Sequence, residues 1–282
     1  MNDINHCLIY TAIFIGIVGI IIVALYQQGK KETFITNQKV IWTYWSDSTL
    51  PPFIETCIGT WHRHNPDYTI NIVNRKNLHQ FVKLDITNLR HNDSITRESD
   101  FVRLELMATH GGYWIDASTI CTRPLQEIPA QCEFMGYNMM GWNSDPRYPV
   151  LENWIFACIP GCTFVKKWRD EFNRMNEFLT VDAYINNVRQ DTDLQGLIML
   201  NYLAMHVAAQ RVLQQGPVYT HSMHILDACG QDGPLSYLAN NDWNTEKGVN
   251  SLCMNPIIPL VKFRGQDRKY AETHQDKLAC LF

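Results

Sequence analysis

Residues 99–118 read SDFVRLELMATHGGYWIDAS, and this stretch decides which fold the chain can adopt. Its first half carries apolar residues at helical spacing, so one side of the helix is hydrophobic: Phe101, Leu104, Met107 and Ala108. Gly111-Gly112 ends the helix, because glycine readily takes the backbone conformations that follow a helix. Residues 113–115 are aromatic or β-branched and predict a short strand that leads to Asp116.

Three charged residues surround this turn. Asp100 and Arg103 are three positions apart on the predicted helix and therefore share a face. Asp116 stands at the carboxyl end of the strand, where parallel sheets bind their ligands. Carboxylates accept hydrogen bonds from sugar hydroxyls or hold hard cations, and arginine pairs with phosphate. The pattern predicts a ligand that carries hydroxyls and phosphate, although a structural Asp-Arg salt bridge and a turn-capping Asp116 explain the same residue types.

The flanking sequence predicts the rest of an α/β domain. Residues 39–45 read as a buried strand, 53–66 as a helix and 68–74 as a second strand, which is the opening of a parallel sheet. Later segments predict further elements: a strand and loop in 133–142, a buried strand in 152–161, and amphipathic helices in 162–179 and 194–213. The tail, 217–282, is expected to be rich in loops.

An apolar, uncharged run occupies residues 7–26 and has about the length that crosses a bilayer core. No Lys or Arg precedes the run, which favours a retained anchor over a cleaved signal peptide. Lys30 and Lys31 follow it and favour a cytoplasmic position for the rest of this single-pass protein. A position in the ER or Golgi lumen is the alternative, and the sequon Asn92-Asp93-Ser94 would be used only there.

Composition narrows the function classes. The chain of 282 residues has a net charge of -4 and no basic stripe, so nucleic acid is not expected as a partner. The nine cysteines show no zinc-type spacing and fit buried free thiols better than a disulfide scaffold. We expect the anchor and the start of a linker in residues 1–29, the linker in 30–38 and one folded domain in 39–282.

The central stretch resembles the donor-site signature of retaining glycosyltransferases with a DXD-type sugar-binding region, and most closely that of the capsular polysaccharide synthesis proteins. The matching residues agree with the signature in order and spacing: Ser99, Asp100, Arg103, Gly111, Gly112 and Asp116. The segments QKVIWTYW, residues 38–45, and ENWIFACIPG, residues 152–161, are similar to flanking segments of the same family. The resemblance covers about residues 39–220.

This resemblance implies a GT-A type fold, that of the nucleotide-diphospho-sugar transferases, with a mostly parallel sheet flanked by helices. It also implies transfer of a hexose from a nucleotide-diphosphate sugar to a glycan or glycoconjugate acceptor, with retention of anomeric configuration. By the same resemblance, Asp100 and Arg103 hold sugar hydroxyls, Asp116 faces the ribose and the metal region, and these three are the predicted catalytic residues. The predicted substrate-binding positions also include Trp45 (on the nucleotide base), Ser99, Gly111, Gly112, Glu152 and Trp154.

The departure from the family pattern is Ser118. In the wider family, the second Asp of the DXD motif binds Mn²⁺ or Mg²⁺, whereas this chain reads Asp116-Ala117-Ser118. A serine hydroxyl is a neutral and weaker ligand than a carboxylate. We therefore expect Mn²⁺ or Mg²⁺ at Asp116 and Ser118 only if a carboxylate or His of the tail supplies a further ligand. Whether the activity depends on a metal ion stays open.

Two alternatives follow from that departure. A basic tail residue, Lys262 or Arg264, is a candidate to meet the donor diphosphate in place of a metal. A catalytically degenerate relative, which binds a nucleotide sugar or a glycan without transferring it, is the alternative function. A hydrolase or phosphotransferase is disfavoured, because the chain contains neither HExxH nor a P-loop.

Overall fold

A six-stranded sheet forms the centre of the protein in the computed structural model, which describes residues 39–139, 145, 147–216, 222–254 and 258–282. Its strands are β1 (Val40–Tyr44), β2 (Thr69–Val73), β3 (Gly112–Ile115), β5 (Phe134–Asn138), β6 (Leu151–Cys158) and β7 (Met223–Asp227), in the order β2-β1-β3-β6-β5-β7. A separate antiparallel pair consists of β4 (Thr119–Cys121) and β8 (Leu260–Lys262).

The central sheet is mixed but mostly parallel. Strand β6 pairs antiparallel with both β3 and β5, while the remaining ladders are parallel. All four residues of β3 are buried, as expected for a central strand covered on both faces. The predicted α/β fold with a mostly parallel sheet is therefore confirmed.

Eight α-helices lie in the described part of the chain. They are α1 (Pro52–His64), α2 (Ile95–His110), α3 (Thr163–Arg174), α4 (Val181–Val188), α5 (Ala204–Gln215), α6 (Ser236–Ala239), α7 (Thr245–Leu252) and α8 (Gly265–Thr273). Helix α2 packs on β1 and β3 and against α3, which in turn packs on α5. Aromatic rings fill this layer, where Trp168 contacts both Phe156 and Phe164.

The membrane prediction falls outside this description. Residues 7–26 are not among the described residues. Within the described ranges, no helix combines the length and the apolar character needed to cross a bilayer.

Three sequence predictions about secondary structure need correction. Helix α2 begins at Ile95, one turn before the predicted start near Ser99, because the Ser94 side chain caps it by accepting a hydrogen bond from Arg97 N at 3.2 Å. The predicted helix 194–213 begins only at Ala204, since the backbone takes positive φ at Gly196 and Met199. The tail is not mainly loop, because it contains β7, β8 and α6 to α8.

The cysteine prediction was wrong for one pair. Cys253, which follows α7, forms a disulfide with Cys280 in a 3₁₀-helical segment, Gln275–Leu281. Spacing did not reveal the pair because the two residues are 27 positions apart, and the packing of α7 against the last segment brings their Cα atoms to 5.7 Å. Six other cysteines in the described ranges are free, and five of those are buried.

Gly111 and Gly112 form the tight turn between α2 and β3. Their φ angles are +67° and +93°, a region that residues with a Cβ rarely adopt. A Cβ on Gly111 would lie 2.6 Å from Pro160 N, and one on Gly112 would lie 2.7 Å from Val40 O. The two glycines therefore set the path by which the helix delivers the chain into the central strand.

We predict that Gly112→Ala lowers the free energy of unfolding by more than about 1 kcal/mol, because it adds both backbone strain and a clash with β1. Gly59→Ala is the matched control. Gly59 lies inside α1 with no atom within 4 Å of its Cβ position, so this substitution is expected to raise stability by about 0.5–1 kcal/mol. Urea unfolding of both variants measures the difference, and equal effects at the two sites contradict this account of the turn.

Candidate active site

A cavity of about 680 Å³ opens at the carboxyl end of β3. Its charged lining residues come from α2, the end of β3, β6, the end of β8 and the beginning of α8: Asp100, Arg103, Asp116, Glu152, Lys262, Arg264 and Arg268. Acidic and basic groups both face the same space. The cavity lies where open α/β sheets commonly bind their ligands.

Asp116 stands between two cations. Its Oδ1 accepts hydrogen bonds from Arg103 Nη2 and from Trp114 Nε1, both at 3.0 Å. Its Oδ2 accepts from Lys262 Nζ at 2.8 Å. Arg103 also donates from Nη1 to Asp100 Oδ1 at 2.9 Å. The result is a chain of alternating charge that runs Asp100, Arg103, Asp116, Lys262.

Local and distant parts of the sequence build this chain. Helix α2 presents Asp100 and Arg103 on one face, and the glycine turn directs β3 back so that Asp116 ends beside Arg103. Lys262 comes from the tail, because β8 pairs with β4 in a register that sets Lys262 opposite Thr119. The two partners Asp116 and Lys262 are 146 positions apart.

The two aspartates differ in their ionisation. Burial raises the pKa of Asp100 to about 6, although Arg103 opposes the shift. Burial also acts to raise the pKa of Asp116, but the positive charges of Lys262 and Arg103 outweigh it and hold that pKa below the ordinary value. Asp116 therefore remains ionised at neutral pH, and Asp100 is closer to its protonated form.

Two further titratable groups face the cavity. Burial raises the pKa of Glu152 to about 7, even though its Oε2 accepts a hydrogen bond from Trp154 Nε1 at 2.8 Å. Burial, helped by repulsion from Arg103, lowers the pKa of His206 to about 4. Glu152 Oε1 and His206 Nδ1 have no hydrogen-bond partner among the described residues. Buried polar atoms of this kind in a cavity are available to a ligand.

The structure brings together eight of the residues that the sequence offers for the site. The cavity is lined by Asp100, Arg103, Asp116, Ser118, Glu152 and Trp154, and by both tail candidates for the diphosphate, Lys262 and Arg264. Trp45 follows β1 and does not line the cavity itself, but the guanidinium of Arg268, which does, lies 5.8 Å from the centre of its ring.

Three other predicted substrate-binding residues do not line the cavity. Ser99 precedes Asp100 on α2, where neighbouring side chains point in directions about 100° apart. Gly111 and Gly112 stand at the start of β3 while Asp116 follows its end, so about 13 Å of extended strand separates them. A Cβ added at Gly111 or Gly112 would meet the backbone of Pro160 or Val40, respectively. None of these three residues lines the cavity, and their roles in substrate binding stay predictions.

Sequence reasoning missed several residues of the cavity. Asn153 donates from Nδ2 to Asp100 Oδ1 at 3.2 Å. Tyr202, His206, Trp243 and Arg268 also line the cavity. A polar residue inside an otherwise apolar segment, such as His206 in α5, is the sequence feature that could have indicated these cavity residues.

The oxygen atoms of Asp116 and Ser118, the two predicted metal ligands, are already engaged in hydrogen bonds. Both carboxylate oxygens of Asp116 are held by cations, and Ser118 Oγ donates to Phe263 O at 3.0 Å and accepts from Lys262 Nζ at 3.3 Å. Across the described ranges, no three His, Cys, Asp or Glu side chains are grouped as ligands for a metal ion. The donor set around Asp116 therefore fits an ammonium group and does not fit Mn²⁺ or Mg²⁺.

Comparison with known families agrees with the sequence resemblance. Residues 21–232 match the family described as capsular polysaccharide synthesis protein. The chain belongs to this family. It is also similar to the O-glycosyltransferase braB of Annulohypoxylon truncatum, with 26% identity over 161 residues, or 50% of this chain and 38% of the relative. The match thus spans less than half of the relative's length. The predicted family and the homology to a transferase are confirmed.

Solved glycosyltransferase structures resemble the chain distantly. The PaToxG glycosyltransferase is 12% identical, covers 92% of this chain and 93% of its own, and superposes with a TM-score of 0.43. The glycosyltransferase GlyE of Streptococcus pneumoniae TIGR4 is 11% identical, covers 86% of this chain and 62% of its own, and gives a TM-score of 0.43. These similarities are too distant to transfer the role of any residue.

We predict that Arg103→Met lowers the free energy of unfolding by about 3–5 kcal/mol, because it leaves the buried Asp100 and the partly buried Asp116 without the cation between them. The loss should shrink as the pH falls towards about 6, because Arg103 lowers the pKa of Asp100 in the wild type, so Asp100 of the variant takes up its proton at a higher pH and loses its repulsion from Asp116. Thermal unfolding across a pH series measures both effects.

Lys39→Met is the control for removing one positive charge from a salt bridge. Lys39 pairs with Asp67, and both side chains are exposed (43% and 54%), so the expected cost is below about 1 kcal/mol. A cost for Arg103→Met as small as that of the control, or one that does not change with pH, contradicts the proposed electrostatic coupling.

Proposed function

We propose that this protein is a glycosyltransferase that transfers a hexose from a nucleotide-diphosphate sugar to a glycan or glycoconjugate acceptor. The observation that carries the proposal is the chain of alternating charge, Asp100 to Lys262, in a cavity at the end of the central strand. Family membership and the similarity to an O-glycosyltransferase support the same activity.

The charges of the cavity suit the two halves of such a donor. A hexose presents neutral hydroxyls, which carboxylates and a neighbouring amide bind well, and Asp100 with Asn153 supplies both. A diphosphate presents negative oxygens, which Lys262, Arg264 and Arg268 attract. The ring of Trp45 lies 5.8 Å from the guanidinium of Arg268, and we place the nucleotide base against this ring.

The proposed reaction breaks one bond, forms another and transfers a proton, and the basic residues stabilise the leaving group. The bond between the anomeric carbon and the β-phosphate oxygen breaks, and a bond from that carbon to the acceptor oxygen forms. Negative charge develops on the departing diphosphate, and fixed cations stabilise it without reorganisation. We propose front-face attack with retention, in which the acceptor hydroxyl gives its proton to the leaving phosphate oxygen. No step in this scheme passes through Mn²⁺ or Mg²⁺, because the residues around Asp116 do not fit a divalent ion.

We further propose that residues 7–26 anchor the protein in a membrane. The Cys253–Cys280 disulfide supports an oxidising compartment for the domain, and so the lumenal alternative rather than the cytoplasmic side favoured by Lys30 and Lys31. Asn92 of the sequon donates from its side-chain amide to Ile86 O and to Glu98 Oε2. The amide is therefore engaged in the folded domain, and glycosylation at this position would have to precede folding.

A second candidate function is binding without transfer. Ser118 favours it, because the chain lacks the second carboxylate of the DXD motif. A degenerate relative would keep the cavity and its affinity for the donor but would not release nucleoside diphosphate.

We predict that the full chain in detergent releases nucleoside diphosphate from one member of a panel of UDP- and GDP-sugars when glycan acceptors are present. Asp116→Asn should reduce this release at least about 100-fold, because it removes a fixed charge that positions Arg103 and Lys262. Asp67→Asn is the control, since Asp67 is an exposed aspartate of a surface salt bridge. Release that survives in Asp116→Asn contradicts the assigned site. Donor binding without release supports the second candidate, and no binding by folded protein refutes both.

We also predict that donor affinity falls as the pH rises through about 7. Glu152 has its pKa near this value, and its ionisation adds a negative charge close to Lys262 and Arg264. A nucleotide sugar has no ionisable phosphate proton in this range, so the protein is the source of the change. Calorimetric titration from about pH 5.5 to about 8.5 should show the fall in wild type and little change in Glu152→Gln. The same pH dependence in both proteins would exclude Glu152 as its origin.

A further inference from the structure

We infer that the ammonium group of Lys262 takes the place of a divalent cation at the donor diphosphate, so that donor binding and turnover are independent of metal. The inference rests on the proposed function, since it concerns the same cavity. It assigns to Lys262 direct contact with the diphosphate and to Ser118 a role in seating that lysine.

The position of Lys262 is the first argument. Its Nζ lies 2.8 Å from Asp116 Oδ2 and 3.3 Å from Ser118 Oγ. These are the two side chains that stand at the first and last positions of the DXD-like motif. The ammonium group is therefore bound by the pair of oxygen atoms that the motif would otherwise direct at a metal ion.

Charge balance is the second argument. A motif with two carboxylates and a divalent ion has two negative and two positive charges, and here Asp116 and Lys262 supply one of each. Replacing Asp by Ser and the ion by Lys removes one negative and one positive charge together. Arg103, which is only 4% exposed, already neutralises the other oxygen of Asp116. An added divalent ion would have to displace the ammonium group and withstand repulsion from Arg103.

Access to the ligand is the third argument. Lys262 lines the cavity together with Arg264 and Arg268. An ammonium group has three N–H donors, and the described hydrogen bonds to Asp116 and Ser118 use two of them. The third is available for an oxygen of the diphosphate. Surrounding protein atoms cover the lysine side chain, of which only 8% is exposed, and this packing fixes the position of the ammonium group.

Nucleoside diphosphate binding in the presence of a chelator tests the inference directly. UDP and GDP are titrated calorimetrically into the full chain in detergent, with chelator and then with Mn²⁺. We expect the affinity of the wild type to change less than about twofold between these conditions. Lys262→Met should weaken binding at least about tenfold in both, because it removes a charge from the phosphate contact. Lys269→Met, which removes an exposed lysine of α8, should bind like the wild type.

A second pair of variants tests the charge balance. Lys262→Met combined with Ser118→Asp restores two carboxylates and removes the ammonium group, and it should bind diphosphate only when Mn²⁺ is added. Electron paramagnetic resonance of Mn²⁺ should detect a bound ion in this double variant and none in the wild type. Lys262→Arg keeps the positive charge and should retain part of the affinity for diphosphate in chelator. This variant replaces Lys262→Met in the test if Lys262→Met does not fold.

The outcomes separate this inference from the proposed function. If chelator abolishes diphosphate binding and sugar transfer in the wild type while Mn²⁺ restores them, the inference is overturned and the transferase stands. If no sugar is transferred but diphosphate binds in chelator and is lost in Lys262→Met, the transferase fails and the ammonium site stands. If folded wild-type protein binds no diphosphate in chelator, or Lys262→Met binds as well as Lys269→Met, the inference is overturned.

Discussion

The carboxylate of Asp116, held between Arg103 and Lys262, is the interaction on which the rest of the site depends. It joins three parts of the fold: helix α2 through Arg103, the end of the central strand β3, and the small sheet β4–β8 through Lys262. Removing any one of these charges leaves a buried or partly buried group of opposite sign without one of its partners, which costs more than losing a surface pair. The geometry of the cavity and the stability of its walls therefore have the same electrostatic origin.

The environment of each carboxyl group sets what it contributes. Asp116 stays ionised because two cations outweigh its burial, whereas burial alone dominates at Glu152 and raises its pKa to about 7. His206 is kept neutral by burial and by Arg103. One cavity thus contains a fixed negative charge, a group that titrates near neutral pH and an uncharged imidazole. Unpaired buried atoms on Glu152 and His206 are tolerated here because a ligand can satisfy them.

The sequence predicts local features well and distant contacts poorly. The α2–turn–β3 unit, and with it the placement of Asp100, Arg103 and Asp116, follows from helical periodicity, two glycines and a short aromatic strand. The start of α5 was misjudged because the apolar periodicity of 194–203 resembles that of a helix, while Ile198 and Met199 are in fact largely exposed (58% and 65%). The Lys262 contact and the Cys253–Cys280 disulfide depend on the pairing of β8 and the packing of α7, which no local pattern records.

The separation of Asp116 and Lys262 also has a consequence for the order in which the protein is made. During synthesis Asp116 leaves the ribosome long before β8 does, because Lys262 of β8 stands 146 positions further along the chain. During that interval the carboxylate has only Arg103 as its cation, and closing so long a loop is among the slower steps of folding. A nascent chain can therefore assemble α2 and β3 early and still lack a complete cavity. The cavity is complete only after β8 and the first part of α8, which carry Lys262 and Arg268, have emerged, so ligand binding reports that the domain has folded as far as α8.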